Sequence, residues 1–317
     1  MPYTIKEICK LVKGELLKGD EGSKISFLSE VFKSSEDSIV FINDKKFLND
    51  LKSISSQTCL TSSELANSLT NYFENIIISK NPYYSFSLLT NLFSDLDNSS
   101  LAGNGAFIDK TAKIADDVII GSNSFIGRNV TIGKGCIIEP NVVVYDFSKI
   151  GKNCKISAGT VIGSQGFGFA NYRNKWHQIS HIGNVVIEDN VTIGANCCID
   201  RGTLGSTHIA DSVIIDNLVH IAHNVKVGAN TAIAAKTGIA GSTKIGNRCM
   251  IGGMVGIFGH LEITDDVIIT PKSNIYKDIK KPGKYSSLFP LLEHSKWKKI
   301  SLIVQKLDKM KSLFWKN

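Results

Sequence analysis

Stepping by six residues from Ile108 meets Ile114, Ile120, Ile126, Ile132, Ile138, Val144, Ile150, Ile156 and Ile162. The same step from Ile209 runs through Ile215, Ile221, Val227, Ile233, Ile239, Ile245, Ile251, Ile257 and Ile263 to Ile269. In a chain that is 43% hydrophobic, an unbroken apolar series of this kind would arise by chance about once in 10⁸ trials. A period of six fits neither the 3.6-residue helix nor a heptad, so an all-helical chain is excluded. Two residues before each large aliphatic stands a smaller or β-branched one, as at Val118, Val130, Val213, Thr231 and Thr243. That inner alternation is the period of a strand. Gly often follows the aliphatic residue, as at Gly121, Gly133, Gly228 and Gly246, where a turn tolerates no bulk. A six-residue strand and turn cannot bury its apolar side chains alone, so successive units must stack. The expected fold is mainly β, a parallel β-helix.

A shorter run, Ile187, Ile193 and Ile199, lies out of phase between the two long ones. The pattern resembles that of hexapeptide-repeat proteins, and this resemblance implies a three-sided coil wound left-handed. At three hexads to a coil, the series makes eight coils, about 38 Å at the usual strand spacing. Residues 1–100 lack the hexad. They alternate helix-like stretches (5–17, 46–51, 62–73, 82–92) with strand-like ones (38–42, 57–60, 76–79), which reads as a small separate α/β domain. Asp95 to Gly105 is crowded with Asp, Asn, Ser and Gly, and a linker is placed at 101–105. The β-helix is expected over 106–270, with the repeat stopping at Ile269 and the chain broken at Pro271 and Pro282-Gly283. Residues 271–317 follow as a helical extension, its helix over 291–315.

Composition narrows the setting. No apolar run reaches the roughly 18 residues of a membrane span, and the first ten residues mix charge where a signal peptide would be apolar. The seven Cys residues lack CxxC spacing and read as reduced core residues of a cytoplasmic protein. The net charge of +7 is uneven: residues 271–317 hold twelve Lys against Asp278, Glu293 and Asp308. Such a block suits nucleic acid, an anionic membrane surface or an acidic protein, or is simply a solvated helix face. No GxSxG, Walker A loop or dinucleotide fingerprint occurs.

Function is sought where the repeat breaks, because solenoid insertions are surface loops. The first break carries Phe167, Phe169, Tyr172 and Trp176. These aromatics either wall a groove for an apolar or ring-bearing ligand or pack on their own barrel. The second, Asp200 to His208, adds four residues. In the eighteen-residue register Gly241 lies one coil above His223, and His260 two coils above Asn224. A His general base beside a side-chain-free amide is an acyl-transfer arrangement: the base takes the proton of the nucleophile while the amide faces the oxyanion. The same histidines, with His220, could be read as metal ligands, but no ligand geometry follows from sequence. No metal is expected.

At this point an ordered series of motifs resembles one family. Gly166-Phe-Gly-Phe-Ala170, Ile199-Asp-Arg-Gly202, Ile214-Ile-Asp-Asn217, Ile221-Ala-His-Asn-Val225, Ala240-Gly-Ser242, Gly259-His260 and Pro282-Gly-Lys-Tyr-Ser-Ser287 are similar to those of UDP-3-O-acylglucosamine N-acyltransferases, the third enzymes of lipid A assembly. The resemblance implies a homotrimer with active sites between subunits. Its reaction moves a 3-hydroxyacyl group from acyl carrier protein to the 2-amino group of UDP-3-O-(3-hydroxyacyl)glucosamine. No cofactor is bound, since phosphopantetheine arrives on the carrier protein. By position the resemblance makes His223 the general base and Gly241 the oxyanion amide. It makes His260 a second substrate-holding His and Asp216 and Asn217 active-site residues, with Asp216 reaching the imidazole from a neighbouring subunit.

In the N-terminal domain Phe41-Ile-Asn-Asp-Lys-Lys-Phe47 resembles the family's uridine pocket, with Phe41 and Phe47 stacking on uracil and Asn43 and Asp44 nearby. Phe47 stands where the family has Tyr and Asp44 where it has Asn. A hydroxyl contact is thereby lost, and an Asp cannot donate as Asn does. Asn81-Pro-Tyr-Tyr84 also matches. The basic tail then reads as a docking surface for the acidic carrier protein, through Lys296, Lys298, Lys299, Lys306, Lys309 and Lys311. The same lysines could touch the inner membrane surface transiently, and nucleic acid has no part. An acetyl-CoA-dependent nucleotide-sugar acetyltransferase and a silent sugar-binding scaffold are the alternatives.

Overall fold

The computed structural model describes residues 2–94, 105–287 and 291–304, and only the backbone at 49, 50, 52 and 53. The chain divides into two compact units, residues 1–96 and 97–317. Of the expected linker at 101–105, all but Gly105 lies outside the described residues.

In the first unit the strands Glu15–Lys18, Asn75–Ile78, Thr58–Thr61, Ser38–Ile42 and Phe27–Ser29 form one sheet in that spatial order. The last four run parallel, and the first is antiparallel. Alternation assigns the faces. Ile39, Leu60 and Ile77 pack with Ile5, Ile8 and Leu89, from the helices Ile5–Val12 and Pro82–Leu92. Val40, Ile42, Cys59 and Ile76 pack on the other side with Leu65 and Leu69, from the helix Ser63–Leu69. The helix expected over 5–17 is shorter. Thr4 and Glu7 form a capping box at its start, and Lys13 turns left-handed at its end, with a φ of 50°. The chain leaves the helix there and becomes the sheet's edge strand, passing so close that a Cβ on Gly14 would lie 2.7 Å from the Ile78 carbonyl oxygen.

The second unit is the expected three-sided parallel β-helix. Its faces carry nine, nine and eight strands, nearly all of two residues. Strands pair with an eighteen-residue step, as in Ile120↔Ile138 and Ile126↔Val144, and the in-phase aliphatics point inward. Burying each is worth roughly 1.5–3 kcal/mol. Two steps are longer: Ile150 pairs with Ile187 across the first break, and Ile187 with Ile209 across the second.

The expectation that no bulk is tolerated at the glycines after the aliphatics holds, although the left-handed residue itself mostly falls three positions after the aliphatic, on Asn123, Asn153, Asn224 and their equivalents. Those glycines are needed because coils stack closely: a Cβ on Gly228 would lie 2.5 Å from the Gly246 carbonyl carbon. Contrary to expectation, the repeat passes Ile269. Pro271 sits in a corner ahead of the left-handed Lys272, Ile275 pairs with Ile257, and Gly283–Tyr285 pairs with Val267–Ile269. A Pro ahead of a turn keeps the coil going, whereas one inside a long strand would end it. Of the expected 291–315 helix, His294–Val304 is observed without a buried residue.

Candidate active site

Face strand His220–Ile221 delivers His223 to a corner of the solenoid, where the next residue, Asn224, adopts a φ of 60°. One coil above, Ser242 N–H donates to the His223 carbonyl at 2.9 Å, and His260 N–H donates to the Gly241 carbonyl at 3.0 Å. The register thus places Gly241 over His223, as the eighteen-residue step predicts. A Cβ on Gly241 would lie 2.6 Å from both Nε2 and Cε1 of His223, so the imidazole occupies the space that any other residue's side chain would need.

The tautomer follows from the neighbours. Asn224 Oδ1 accepts the Thr203 N–H at 2.9 Å, which identifies that atom as the oxygen. His223 Nδ1 is 3.1 Å from the same Oδ1 and therefore carries the proton it donates. Nε2 keeps its lone pair, beside Gly241. The Gly241 N–H makes no hydrogen bond to any described residue. A free base and a free amide donor thus stand together on one coil edge, the pair that deprotonates a nucleophile and holds an oxyanion. They open on a cavity of about 440 Å³ lined by Phe167, Asp200, His220, His223, Gly241 and Phe258.

The remaining sequence-predicted residues are distributed unevenly. Phe167 lines the cavity while 85% exposed, and its ring centroid is 5.2 Å from that of Phe169. Phe169 opens an antiparallel hairpin, Phe169–Tyr172 with Lys175–Gln178, exposed on both strands. His260 is exposed. Within one chain Asp216 and Asn217 are away from His223, on a different face. Asp216 accepts the Asn217 and Ala235 N–H groups, at 2.7 and 3.2 Å, and Asn217 Oδ1 accepts that of Ala195 at 2.7 Å. Asp216 borders a second cavity of about 610 Å³ with Ile214, Met250 and Ile268, all three exposed and apolar. His220 Nε2 lies 3.6 Å from the buried Asp200 carboxylate. Among the described residues no group of three His, Cys, Asp or Glu converges as a metal ion requires.

In the first unit Phe41 and Phe47 do line one cavity, of about 480 Å³, with Phe32 and Phe86. Phe41 is stacked on Phe86 at 4.7 Å and meets Tyr83 edge-on at 5.3 Å. Asn43 is half-buried. Asp44 is spent locally: its carboxylate accepts the Lys46 N–H at 2.9 Å and pairs with the Lys46 ammonium at 3.0 Å. These two bonds hold it below the usual carboxylate range. Lys296, Lys298 and Lys299 are exposed on the C-terminal helix. Lys306, Lys309 and Lys311 lie outside the described residues.

Sequence reasoning passed over Thr203, which fixes the tautomer through Asn224, and His181, whose ring stands 5.0 Å from that of His223. Both sit in the stretches that interrupt the hexads, where no periodic signal could have pointed to them.

Comparison with known proteins agrees with this architecture. Residues 103–134 and 129–164 match the family model described as bacterial transferase hexapeptide (six repeats), and 184–235 match the hexapeptide repeat of succinyl-transferase. A UDP-3-O-acylglucosamine N-acyltransferase of Leptothrix cholodnii is 40% identical over 98% of this chain and 96% of its own. The chain belongs to the UDP-3-O-acylglucosamine N-acyltransferase family. Solved structures show the same solenoid in a sister group. The UDP-N-acetylglucosamine O-acyltransferase of Moraxella catarrhalis is 26% identical with a TM-score of 0.53, over 66% of this chain and 93% of its own. A homologous structure from Acinetobacter baumannii is 27% identical with a TM-score of 0.51, over 68% and 85%. The N-acyltransferase relative, by contrast, matches along nearly the whole chain.

Proposed function

We propose that the protein transfers a 3-hydroxyacyl group from acyl carrier protein to the 2-amino group of UDP-3-O-(3-hydroxyacyl)glucosamine, in the cytoplasm, as a homotrimer. The observation that carries this reading is the bare His223 Nε2 beside the unpaired Gly241 N–H. The amine nitrogen attacks the thioester carbonyl, forming the C–N bond, and Nε2 takes a proton from that nitrogen. The oxyanion of the tetrahedral intermediate faces the Gly241 N–H. Collapse breaks the C–S bond, and the imidazolium returns its proton to the leaving thiolate of the phosphopantetheine arm. In this reading His260, exposed one coil beyond Ser242, contacts the sugar or its phosphates. The exposed apolar strip of Ile214, Met250 and Ile268 supports subunit packing on the face that carries Asp216 and Asn217. In that assembly Asp216 belongs to the neighbouring subunit's groove.

Uracil fits the aromatic cavity of the first unit, with Phe41 and Phe47 as its walls. Phe41→Ala should raise KM for the UDP substrate about tenfold with kcat largely kept, because the ring contributes equally before and during the reaction. A loss confined to kcat would remove Phe41 from substrate binding.

The direct experiment presents the acceptor with 3-hydroxyacyl carrier proteins of graded length and acetyl-CoA as competitor, and reads product mass. N-acylated product from the carrier protein confirms the reaction and gives the chain length. Product from acetyl-CoA alone would instead mark a nucleotide-sugar acetyltransferase. Raising salt from about 0.05 to 0.5 M should lower kcat/KM for the carrier protein several-fold, and much less for a small thioester. Equal sensitivity would take Lys296, Lys298 and Lys299 out of docking. No helix among the described residues is long and apolar enough to cross a membrane.

A further inference from the structure

The first excursion from the solenoid returns through His181, which is only 4% exposed. Its Nδ1 lies 3.1 Å from the Ile179 carbonyl oxygen and 3.4 Å from the Gln165 amide nitrogen, which itself donates to that carbonyl at 3.3 Å; the shorter contact is to an atom that can only accept, so Nδ1 carries the proton. Nε2 is then a bare lone pair, buried and without a hydrogen-bond partner among the described residues. Unpaired buried polar atoms are rare and costly, so a ring kept here at that cost calls for a reason. The ring meets the His223 imidazole nearly edge to face, with centroids 5.0 Å apart and planes at 69°. On the side away from the cavity, packing is tight. A Cβ on Gly166 would lie 2.8 Å from His181 Nε2 and 3.1 Å from His223 Cβ, and one on Gly168 would lie 2.6 Å from His181 Cε1. Both glycines of Gly166-Phe-Gly-Phe-Ala170 therefore make room for a second imidazole behind the first.

We propose that His181 is a positioning residue for His223, its ring forming the wall that holds the base upright beside Gly241. The inference rests on the reading of His223 as the base. Asn224 Oδ1, at 3.1 Å, and the Thr203 hydroxyl, at 3.4 Å, both reach Nδ1 alone, which leaves the far edge of the imidazole free to swing about that nitrogen. An edge-to-face wall removes that swing and keeps the Nε2 lone pair aimed at the cavity. Because the wall is carried by the inserted segment, the seating of the aromatic hairpin and the aim of the base are mechanically linked. A misaimed base slows the chemical step without loosening substrate, so the effect belongs in kcat.

Two variants separate this role from simple anchoring of the loop. His181→Asn keeps a donor for the Ile179 carbonyl but removes the part of the ring that meets His223. His181→Phe keeps a ring and loses the donor. The expected result is a kcat about tenfold lower for His181→Asn, with KM for the UDP substrate within about twofold. His181→Phe should stay within about threefold of wild type, and both should melt as the wild type does. The opposite order, Asn active and Phe inactive, would assign His181 to loop anchoring and overturn the proposal. Should the Phe variant not fold, His181→Ala is assayed with added imidazole. Turnover that climbs with imidazole refills the wall, and a flat response overturns it. His223→Ala is run in parallel. If it retains turnover, the base assignment itself falls. If it is inactive while His181→Asn behaves as wild type, only the present inference falls.

Discussion

His223→Ala should lower turnover by at least about 10², the usual contribution of a positioned general base, equivalent to about 2.7 kcal/mol of transition-state stabilisation. The solenoid should survive. The Asn224 amide oxygen still accepts the Thr203 N–H, and Ile221 and Val225 on either side remain buried in the core. The coil-to-coil bond from Ser242 N–H to the residue 223 carbonyl involves backbone alone. Melting temperature and subunit count should therefore match the wild type, and KM for both substrates should change little. Turnover within a few-fold of wild type, in a folded variant, would remove His223 from proton transfer. His208 is the control: it pairs with Glu188 and does not line the cavity, and His208→Ala should not reproduce the loss.

The parts of this molecule that could be read from sequence are those where one residue's position determines another's. In the solenoid an eighteen-residue step places residues on top of each other, so Gly241 over His223 followed from counting and is borne out by Ser242 N–H on the His223 carbonyl. Inward Ile and Val residues were legible for the same reason. The interruptions obey no such rule. The Phe169–Gln178 hairpin turns on Arg173 and Asn174, both left-handed, at 52° and 58°. That geometry is usually announced by Asn-Gly, and Arg-Asn does not announce it. His181 and Thr203 approach His223 only because long excursions fold back, a closure that no local pattern encodes. Pro271 misled in the other direction, since a two-residue strand is short enough for a Pro to fall in the corner between strands. In the N-terminal unit Glu15–Lys18 continued an apolar pattern that suits a helix, but the left-handed Lys13 ends the helix before it and the segment pairs with Asn75–Ile78 as an edge strand.

Gly241→Ala tests the site from the opposite side. The new Cβ would lie 2.6 Å from His223 Nε2 and Cε1, closer than non-bonded atoms come. Gly241 has an ordinary negative φ, so Ala brings no backbone strain and the conflict is confined to the imidazole. The ring must swing away, taking Nε2 from its place while the residue 241 N–H is chemically unchanged. Turnover should fall by about 10² with a near-native melting temperature. Gly259→Ala is the matched control one coil further on, where a Cβ would meet the Gly241 carbonyl oxygen at 3.1 Å and no imidazole. It should cost far less. If both glycine variants lose activity equally, general disturbance of the coil edge explains the loss and the pairing with His223 is not the cause. The double variant His223→Ala with Gly241→Ala is the sharper case. Once the imidazole is gone the methyl has nothing to displace, so the two losses should not add, and the double variant should match His223→Ala alone. Fully additive losses would mean that Gly241 acts independently of the base, through the oxyanion alone.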